Sequence, residues 1–245
     1  MSLSGKSIFV TGGSRGIGAA IVRQCVEAGA NVTFTYQTNH SKAMQLVEEL
    51  GSKVLALQME VTDRNSVRAA LNRAYEHFGS IDGLVNNAGI NKPCDFDKLT
   101  DDDWDNILSV NLKGPFICSQ EALEFLEKSE HPSIVHIGSV SGQFGGPRTA
   151  HYAASKAGLI SLSQVIARFG APKGVRSNTV AAGYIESEMA ASGLASASVA
   201  KVAEGTILKR QGKVNEVADS VVYLLSEKSS YITAQTLNVN GGLYF

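Results

Sequence analysis

The sequence predicts an α/β fold: a single doubly wound, Rossmann-type parallel sheet of seven strands with helices on both faces. Short β-branched runs alternate with helical patterns from one end of the chain to the other. A glycine-rich turn follows the first run directly, and no repeat or Pro-rich linker divides the chain. Because strands that alternate with helices of this length pair in parallel through right-handed crossovers, one domain over residues 1–245 accounts for the pattern.

Seven segments have the length and the β-branched content of buried parallel strands. In chain order they are Ser7–Val10, Val32–Tyr36, Val54–Met59, Gly83–Asn86, Ile134–Ile137, Ser177–Ala181 and Thr236–Val239. A helix follows the second strand, with Ser41 as its candidate N-cap and Gly51 at its end. The clearest helix follows the third strand, and its apolar stripe consists of Val67, Ala70, Leu71, Ala74, Tyr75 and Phe78.

The irregular stretch from Tyr184 to about Gly205 is rich in small residues. We expect a substrate lid near residues 184–206, and a pair of surface helices without function is the alternative.

Composition argues against several classes of protein. A net charge of −1 gives no general attraction to nucleic acid or to anionic lipid. The three cysteines form no C-x-x-C pair, which argues against a disulfide framework and a zinc site. No apolar run approaches the roughly 18 residues that span a bilayer, and the N-terminus has no signal-peptide core. We therefore expect a soluble cytoplasmic protein that binds no nucleic acid, membrane or metal.

The turn after the first strand reads TGGSRGIG and contains Gly12, Gly16 and Gly18. Glycines there let backbone N–H groups approach a pyrophosphate, and the following helix N-terminus supplies partial positive charge. The same residues satisfy the G-x-S-x-G elbow of α/β-hydrolases. That nucleophile elbow follows a central strand that several other strands precede in the chain. Here only eleven residues precede Gly12. We therefore favour a dinucleotide site.

The residues after the second strand indicate which dinucleotide binds. An NAD site places an acid about 20 residues beyond the glycines, where it holds the ribose 2′-hydroxyl. Position 36 is Tyr, and TYQTNHSK from Thr35 to Lys42 contains no Asp or Glu. Arg15 within the loop, or Lys42, is available to a 2′-phosphate instead. The pattern favours NADP(H).

Together these motifs resemble the short-chain dehydrogenase/reductase family over the whole chain. TGGSRGIG resembles its cofactor loop, and NNAG at 86–89 resembles the turn after its fourth strand. The positions that match the family's catalytic tetrad are Asn111, Ser139, Tyr152 and Lys156. The ending SSYITAQTLNVNGGLYF and the segment GLISLSQ look most like the 3-oxoacyl-[acyl-carrier-protein] reductases.

The resemblance implies a role for each tetrad residue. Tyr152 would deliver a proton, and Ser139 would hydrogen-bond the substrate oxygen. Lys156 lies four residues after Tyr152 on the same helix face, so its ammonium is expected to lower the tyrosine pKa. By family analogy Lys156 also holds the nicotinamide ribose, and Asn111 holds a water that links Lys156 to solvent. His136 and His151 are interpreted as packing or capping residues rather than catalysts.

The resemblance also implies a set of cofactor contacts. These are Gly12, Ser14, Arg15, Gly16, Ile17, Gly18, Tyr36, Glu60, Val61, Asn87, Ala88, Gly89, Tyr152, Lys156, Gly183, Ile185 and Ser187. Two positions depart from the family pattern. Ala182 replaces the proline that usually precedes Gly183, which predicts a looser backbone there. Glu60 replaces the Asp or Asn that faces the adenine, and its side chain is longer than Asp by one methylene group.

The leading interpretation is an NADPH-dependent reductase of 3-oxoacyl thioesters, from fatty-acid, polyketide or related pathways. The substrate would be a small molecule or an acyl thioester, free or carrier-bound, and relatives suggest a homotetramer. A dehydrogenase of a sugar, steroid or other secondary alcohol is the alternative, and a non-catalytic NADP(H) sensor is a third hypothesis.

Carrier-using reductases place basic residues before the fifth strand and after the tetrad helix. Lys173 retains the second, whereas acids occupy the first region, at Glu121, Glu124, Glu127 and Glu130.

Overall fold

Seven parallel strands form one sheet in this computed structural model, which describes residues 1–186 and 204–245. The strands are β1 (Ser7–Val10), β2 (Asn31–Tyr36), β3 (Val54–Gln58), β4 (Gly83–Asn86), β5 (Ser133–Ser139), β6 (Arg176–Ala182) and β7 (Thr236–Val239). Their order across the sheet is β3-β2-β1-β4-β5-β6-β7, and each neighbouring pair is parallel. This is the predicted doubly wound sheet.

Helices cover both faces of the sheet. Within the described ranges they are α1 (Gly16–Glu27), α2 (His40–Leu50), α3 (Arg64–Phe78), α4 (Asp101–Leu108), α5 (Gly114–Leu126), α6 (Ser141–Phe144), α7 (Ala150–Gly170) and α8 (Val214–Leu225). One turn of π-helix, Ser109–Lys113, joins α4 to α5, and short 3₁₀ turns occupy Gly51–Lys53, Phe96–Lys98, Ala171–Lys173 and Glu227–Ser229.

All seven predicted strands are present, with small differences at their ends. β5 is longer than predicted because Gly138 and Ser139 continue to pair with Ala181 and Ala182 on β6. The predicted cap at Ser41 is wrong. α2 begins one residue earlier, at His40, so Ser41 lies inside its first turn.

Apolar side chains form one core layer on each face of the sheet. On one face α3 buries the predicted residues Val67, Ala70, Leu71 and Ala74. Asp63 caps this helix by accepting a hydrogen bond from the Asn65 N–H at 3.0 Å. The cap satisfies an N–H that would otherwise lack a partner at the helix start.

The sheet places a crevice between β1 and β4. The chain leaves β1 toward β2 on one side and β4 toward β5 on the other, so the carboxyl ends of β1 and β4 diverge. Ligands of open α/β sheets bind at such a switch point. The predicted lid at residues 184–206 falls largely on residues outside the two described ranges.

The described parts of the chain show neither a membrane span nor a metal cluster. Over residues 1–186 and 204–245, no helix is both long and apolar enough to cross a bilayer. In the same ranges, no group of three or more His, Cys, Asp or Glu side chains could hold a metal ion.

Candidate active site

A cleft of about 720 Å³ opens at the carboxyl ends of the central strands. It brings together almost all of the residues that the sequence singled out. Those that line it are Gly12, Ser14, Arg15, Gly16, Ile17, Gly18, Tyr36, Glu60, Val61, Asn87, Ala88, Gly89, Ser139, Tyr152, Lys156, Gly183 and Ile185. Asn111 lies behind the wall of the cleft and is fully buried. Ser187 falls outside the described residues.

The glycine loop is packed too closely for side chains. A Cβ on Gly18 would lie 2.2 Å from the carbonyl oxygen of Gly12, and a Cβ on Gly12 would lie 2.9 Å from Ala88 Cα. α1 begins at Gly16, so its N-terminal N–H groups and partial positive charge face the cleft. This cradle of backbone donors fits the pyrophosphate of a dinucleotide.

Thr11, which the sequence analysis did not single out, joins the glycine loop to the turn after β4. Its Oγ1 accepts hydrogen bonds from the N–H groups of Asn87 and Ala88, both at 3.0 Å. The Asn87 side chain donates in return to the carbonyl oxygens of Thr11 (3.0 Å) and Gly12 (2.8 Å). These bonds hold the two sides of the crevice at a fixed spacing. The bonded residues are more than 70 positions apart in the sequence, so no local pattern predicts these bonds.

The far end of the cleft surrounds the predicted adenosine site. The residues from Thr35 to Asn39 that line it include no acid, and Arg15 belongs to the same wall. The Tyr36 hydroxyl lies 2.8 Å from His40 Nδ1. Glu60 Oε1 accepts from the Thr62 N–H at 3.0 Å, and Glu60 Oε2 accepts from Gln37. The Glu60 carboxylate is thus held between its own turn and Gln37, the residue after β2.

The segment after β6 is held by backbone hydrogen bonds despite Ala182. The Gly183 N–H donates to the Val239 carbonyl at 2.9 Å. The Gly212 N–H donates to the Tyr184 carbonyl, and the Glu186 N–H donates to the Gly212 carbonyl, both at 2.9 Å. These bonds tie the segment as far as Glu186 to β7 and to Gly212, and the looser backbone expected from the missing proline stays a prediction.

Tyr152 and Ser139 meet at the centre of the cleft. Tyr152 lies in the first turn of α7, and Ser139 is the last residue of β5. Burial raises the pKa of the Tyr152 phenol, and a hydrogen bond with Ser139 opposes that rise. Ser139 Oγ also accepts from the Ser141 N–H at 3.1 Å, which orients the hydroxyl.

Lys156 is buried beneath Tyr152, with 5% of its surface exposed. Its Nζ donates to the Ile137 carbonyl at 2.8 Å and lies 5.7 Å from the centroid of the Tyr152 ring. Burial lowers the pKa of Lys156 to about 8. From the sequence we expected Lys156 to lower the Tyr152 pKa, but that pKa is raised because burial of the phenol outweighs the opposing hydrogen bond with Ser139.

Asn111 connects the substrate side of the cleft to α7. It sits in the π-helical turn, where its amide donates to the Ile90 carbonyl at 2.8 Å and accepts from the Ile90 N–H at 2.9 Å. Its amide also donates to Ser155 Oγ at 3.3 Å. Asn111 therefore fixes the loop that begins at Ile90, and the water-holding role stays a prediction.

His136 is part of a buried polar network and lies outside the cleft lining. Its Nδ1 accepts from the Asn86 amide and its Nε2 bonds with Ser177 Oγ, each at 3.3 Å. Burial, followed by the nearby charge of Lys156, lowers the pKa of His136 to about 3. The ring is neutral and acts as a packing group. His151 is also fully buried, and its pKa is lowered chiefly by burial.

Comparison with known proteins finds relatives that are named reductases and dehydrogenases. A family model described as "Enoyl-(Acyl carrier protein) reductase" matches residues 12–244. The 3-oxoacyl-[acyl-carrier-protein] reductase FabG of Staphylococcus aureus is 39% identical over 242 residues, with 98% of each chain covered. The protein of the same name from Salmonella typhimurium is 39% identical over 244 residues, which cover 100% of this chain and 99% of the relative.

Two solved structures share the fold over its full length. A double mutant of a short-chain dehydrogenase/reductase from Serratia marcescens matches with a TM-score of 0.92 and 35% identity, covering 99% of each chain. A Brucella melitensis protein titled as a short-chain dehydrogenase/reductase of the glucose/ribitol dehydrogenase type matches with a TM-score of 0.95 and 32% identity. That alignment covers 100% of both chains.

Proposed function

The chain belongs to the short-chain dehydrogenase/reductase family, and we propose that it uses NADPH to reduce 3-oxoacyl thioesters to their 3-hydroxy products. The observation that carries this proposal is that Ser139, Tyr152 and Lys156 adjoin a cleft walled by the glycine loop. The identity to the two reductases supports the thioester as substrate class. The family itself makes the chain an oxidoreductase that acts on alcohol and carbonyl groups.

The residues of the cleft fit a nicotinamide dinucleotide. Gly12, Gly16 and Gly18 would hold its pyrophosphate, Arg15 its 2′-phosphate and Lys156 its nicotinamide ribose. The close packing at Gly12 and Gly18 supports the first of these assignments. When bound, the nicotinamide supplies the hydride that reaches the carbonyl carbon.

We assign proton delivery to the Tyr152 hydroxyl. As the carbonyl oxygen gains negative charge, Tyr152 transfers its proton to that oxygen, and Ser139 hydrogen-bonds it. The raised pKa keeps the phenol protonated at neutral pH, which suits an acid acting in the reductive direction. Lys156, with a pKa of about 8, is the more acidic of the pair and can restore the tyrosine proton.

A second candidate function is oxidation or reduction of a sugar or another secondary alcohol. The Brucella melitensis structure, titled as glucose/ribitol dehydrogenase, favours this reading because its fold matches over the whole chain. The same three side chains would serve either substrate.

The substrate proposal is tested by following NADPH oxidation against a panel of carbonyl compounds. The panel holds acetoacetyl thioesters of coenzyme A and of a carrier protein, a long-chain 3-oxoacyl thioester, a keto sugar and a cyclic ketone. We expect the highest kcat/KM for a thioester. A higher value for the keto sugar would establish the second candidate. Tight NADPH binding with no turnover of any compound would instead indicate a sensor.

We also propose, from the family, a homotetramer. Exposed apolar side chains on α7, at Val165 and Phe169, support burial of this face in an assembly. Light scattering after gel filtration measures the mass directly, and a monomer would contradict the proposal.

A further inference from the structure

Two loops form the rim of the substrate half of the cleft. The first rim loop runs over residues 90–98 between β4 and α4, and the second runs over residues 145–149 between α6 and α7. Both contribute to the cleft wall, through Ile90, Asn91, Pro93, Gly146, Pro147, Arg148 and Thr149. The two rim loops contact each other at Arg148.

Arg148 contacts the first rim loop through both its backbone and its side chain. Its carbonyl oxygen accepts a hydrogen bond from the Cys94 N–H at 2.9 Å. Its guanidinium Nε lies 2.8 Å from Asp95 Oδ1. The residue has a φ of +58°, a left-handed conformation that is unfavourable for a side chain such as arginine. Such conformations persist where surrounding contacts fix them, and they concentrate at ligand clamps.

Proline stiffens each rim loop next to the contact. Pro93 precedes Cys94 and Pro147 precedes Arg148, and both proline rings line the cleft. Because proline fixes its own φ, the backbone just before each contacting residue has fewer accessible conformations. The second rim loop continues into α7, where the Ala153 N–H donates to the Thr149 carbonyl at 2.7 Å. The rim is therefore connected to the turn that carries Tyr152.

The charges around the contact favour Asp95 as the partner of Arg148. Asp95 also lies 3.8 Å from Lys98 Nζ, a weaker contact at the edge of the 3₁₀ turn. The neighbouring ion pair, Lys92 with Asp103 at 2.7 Å, links the first rim loop to α4 instead. Lys98 therefore provides a matched control, because it contacts the same carboxylate without lining the cleft.

We propose that the Arg148–Asp95 pair fixes the width of the rim and makes Arg148 a specificity-determining residue. Because Arg148 and the two prolines border the cleft, loss of the pair should widen the entrance and favour ketones branched at the carbon next to the reacting carbonyl over linear ones. This inference rests on the proposed function, because it concerns which ketones reach Tyr152. Arg148 would act only through the width of the rim and would take no part in proton or hydride transfer.

The test compares two thioesters of N-acetylcysteamine, one linear (acetoacetyl) and one branched next to the ketone (isobutyrylacetyl). Arg148→Ala and Asp95→Ala should each raise the branched-to-linear ratio of kcat/KM by about two- to fivefold, the range for an exposed ion pair. The double variant should add little to either single one, since both remove the same contact. Exchanging the charges, Arg148→Asp with Asp95→Arg, should restore part of the original ratio. Lys98→Ala should leave the ratio unchanged.

A second readout does not depend on activity. Hydrogen exchange at the Cys94 amide should be faster in Arg148→Ala and in Asp95→Ala than in Lys98→Ala, because the rim opens when the pair is lost. Unchanged exchange, an unchanged ratio, or effects that simply add in the double variant would overturn the inference. If the wild-type protein reduced no ketone, the proposed function would fail, and the exchange measurement would still decide whether the pair holds the rim.

Discussion

Lys156 and Tyr152 lie one helical turn apart on α7, with the lysine Nζ 5.7 Å from the centroid of the tyrosine ring. Burial moves their pKa values in opposite directions, lowering that of Lys156 to about 8 and raising that of Tyr152. Two neighbouring groups whose pKa values are driven apart can divide an acid–base task between them. In the mechanism that we propose, the tyrosine keeps its proton until the substrate oxygen takes it, and the lysine supplies the replacement.

Replacing Lys156 by alanine should damage both NADPH binding and turnover, because we assign one side chain to the ribose and to proton supply. Lys156→Arg should keep part of the binding but little of the turnover, since arginine stays protonated throughout the working pH range. In the wild-type protein the rate of reduction should fall as pH rises through about 8, where Lys156 loses its proton. Steady-state kinetics and NADPH titration measure both effects. Full activity of Lys156→Ala at neutral pH would remove Lys156 from the mechanism.

Cofactor choice should depend on Arg15. A charge-assisted hydrogen bond contributes about 1.5–3 kcal/mol, which corresponds to roughly ten- to a hundredfold in favour of NADPH over NADH. Arg15→Ala should erode that preference and leave turnover with NADH nearly unchanged. Lys42 does not line the cleft, so Lys42→Ala serves as the control. Equal kcat/KM for NADPH and NADH in the wild-type protein would contradict the assignment.

Acid should destabilise the fold through His136. Its pKa is about 3 in the folded protein against 6.5 ordinarily, so the folded state disfavours the charged ring. Stability is full above pH 6.5 and is lost as pH falls toward 3. Between pH 6.5 and about 4.5 this one group should cost about 2–3 kcal/mol. Urea unfolding at the two pH values measures the loss.

The control for this prediction is a pair of glutamine variants. His136→Gln keeps a donor and an acceptor in the buried network but cannot titrate, so its stability should change less over that pH interval. His77→Gln alters an exposed ring and should behave like the wild-type protein. Identical acid sensitivity in His136→Gln and the wild-type protein would assign the loss to other groups.

Carrier docking should be weak because Lys173, the basic residue after α7, is paired with Glu127. The other acids divide into two groups: Glu121 pairs with Arg64 and Arg68, whereas Glu124 and Glu130 are exposed. We expect kcat/KM for a carrier-bound substrate to exceed that for the coenzyme A thioester only modestly.

Two variants test this reading of the surface. Glu127→Gln should release Lys173 and widen the difference between the two substrates, and Glu130→Arg should widen it by adding a cation. Each exposed contact contributes about 0.2–1 kcal/mol, so the gains should be small and larger at low salt. Glu124→Gln removes the same charge from α5 without releasing Lys173, and it should have less effect. A large carrier preference, insensitive to these changes and to salt, would locate docking on another surface.

The sheet was predictable from the sequence because buried parallel strands are apolar on both faces and therefore appear as continuous runs. The features that the sequence did not predict depend on residues that are distant in sequence. β5 extends to Ser139 because β6 offers Ala181 and Ala182 as pairing partners. The π-helical turn that contains Asn111 was missed because such turns are rare and have no composition or spacing rule that marks them in a sequence.

The Tyr–Lys spacing likewise predicted which side chains meet but gave the wrong direction for the tyrosine pKa. The direction depends on burial, which a spacing does not contain. The Thr11 and Arg148 contacts were missed for a related reason. Each joins segments that approach one another only when the sheet is assembled. One domain and a lid near 184–206 remain predictions.

The most direct test of the account is the Tyr152→Phe variant, measured for NADPH binding and for turnover of an acetoacetyl thioester in the same preparation. Phenylalanine keeps the ring and its packing but has no proton to deliver. NADPH binding should stay within about twofold of the wild-type value, while kcat falls by roughly a hundred- to ten-thousandfold, the range for loss of a general acid. Wild-type turnover in Tyr152→Phe, with NADPH still bound, would show that another group protonates the substrate.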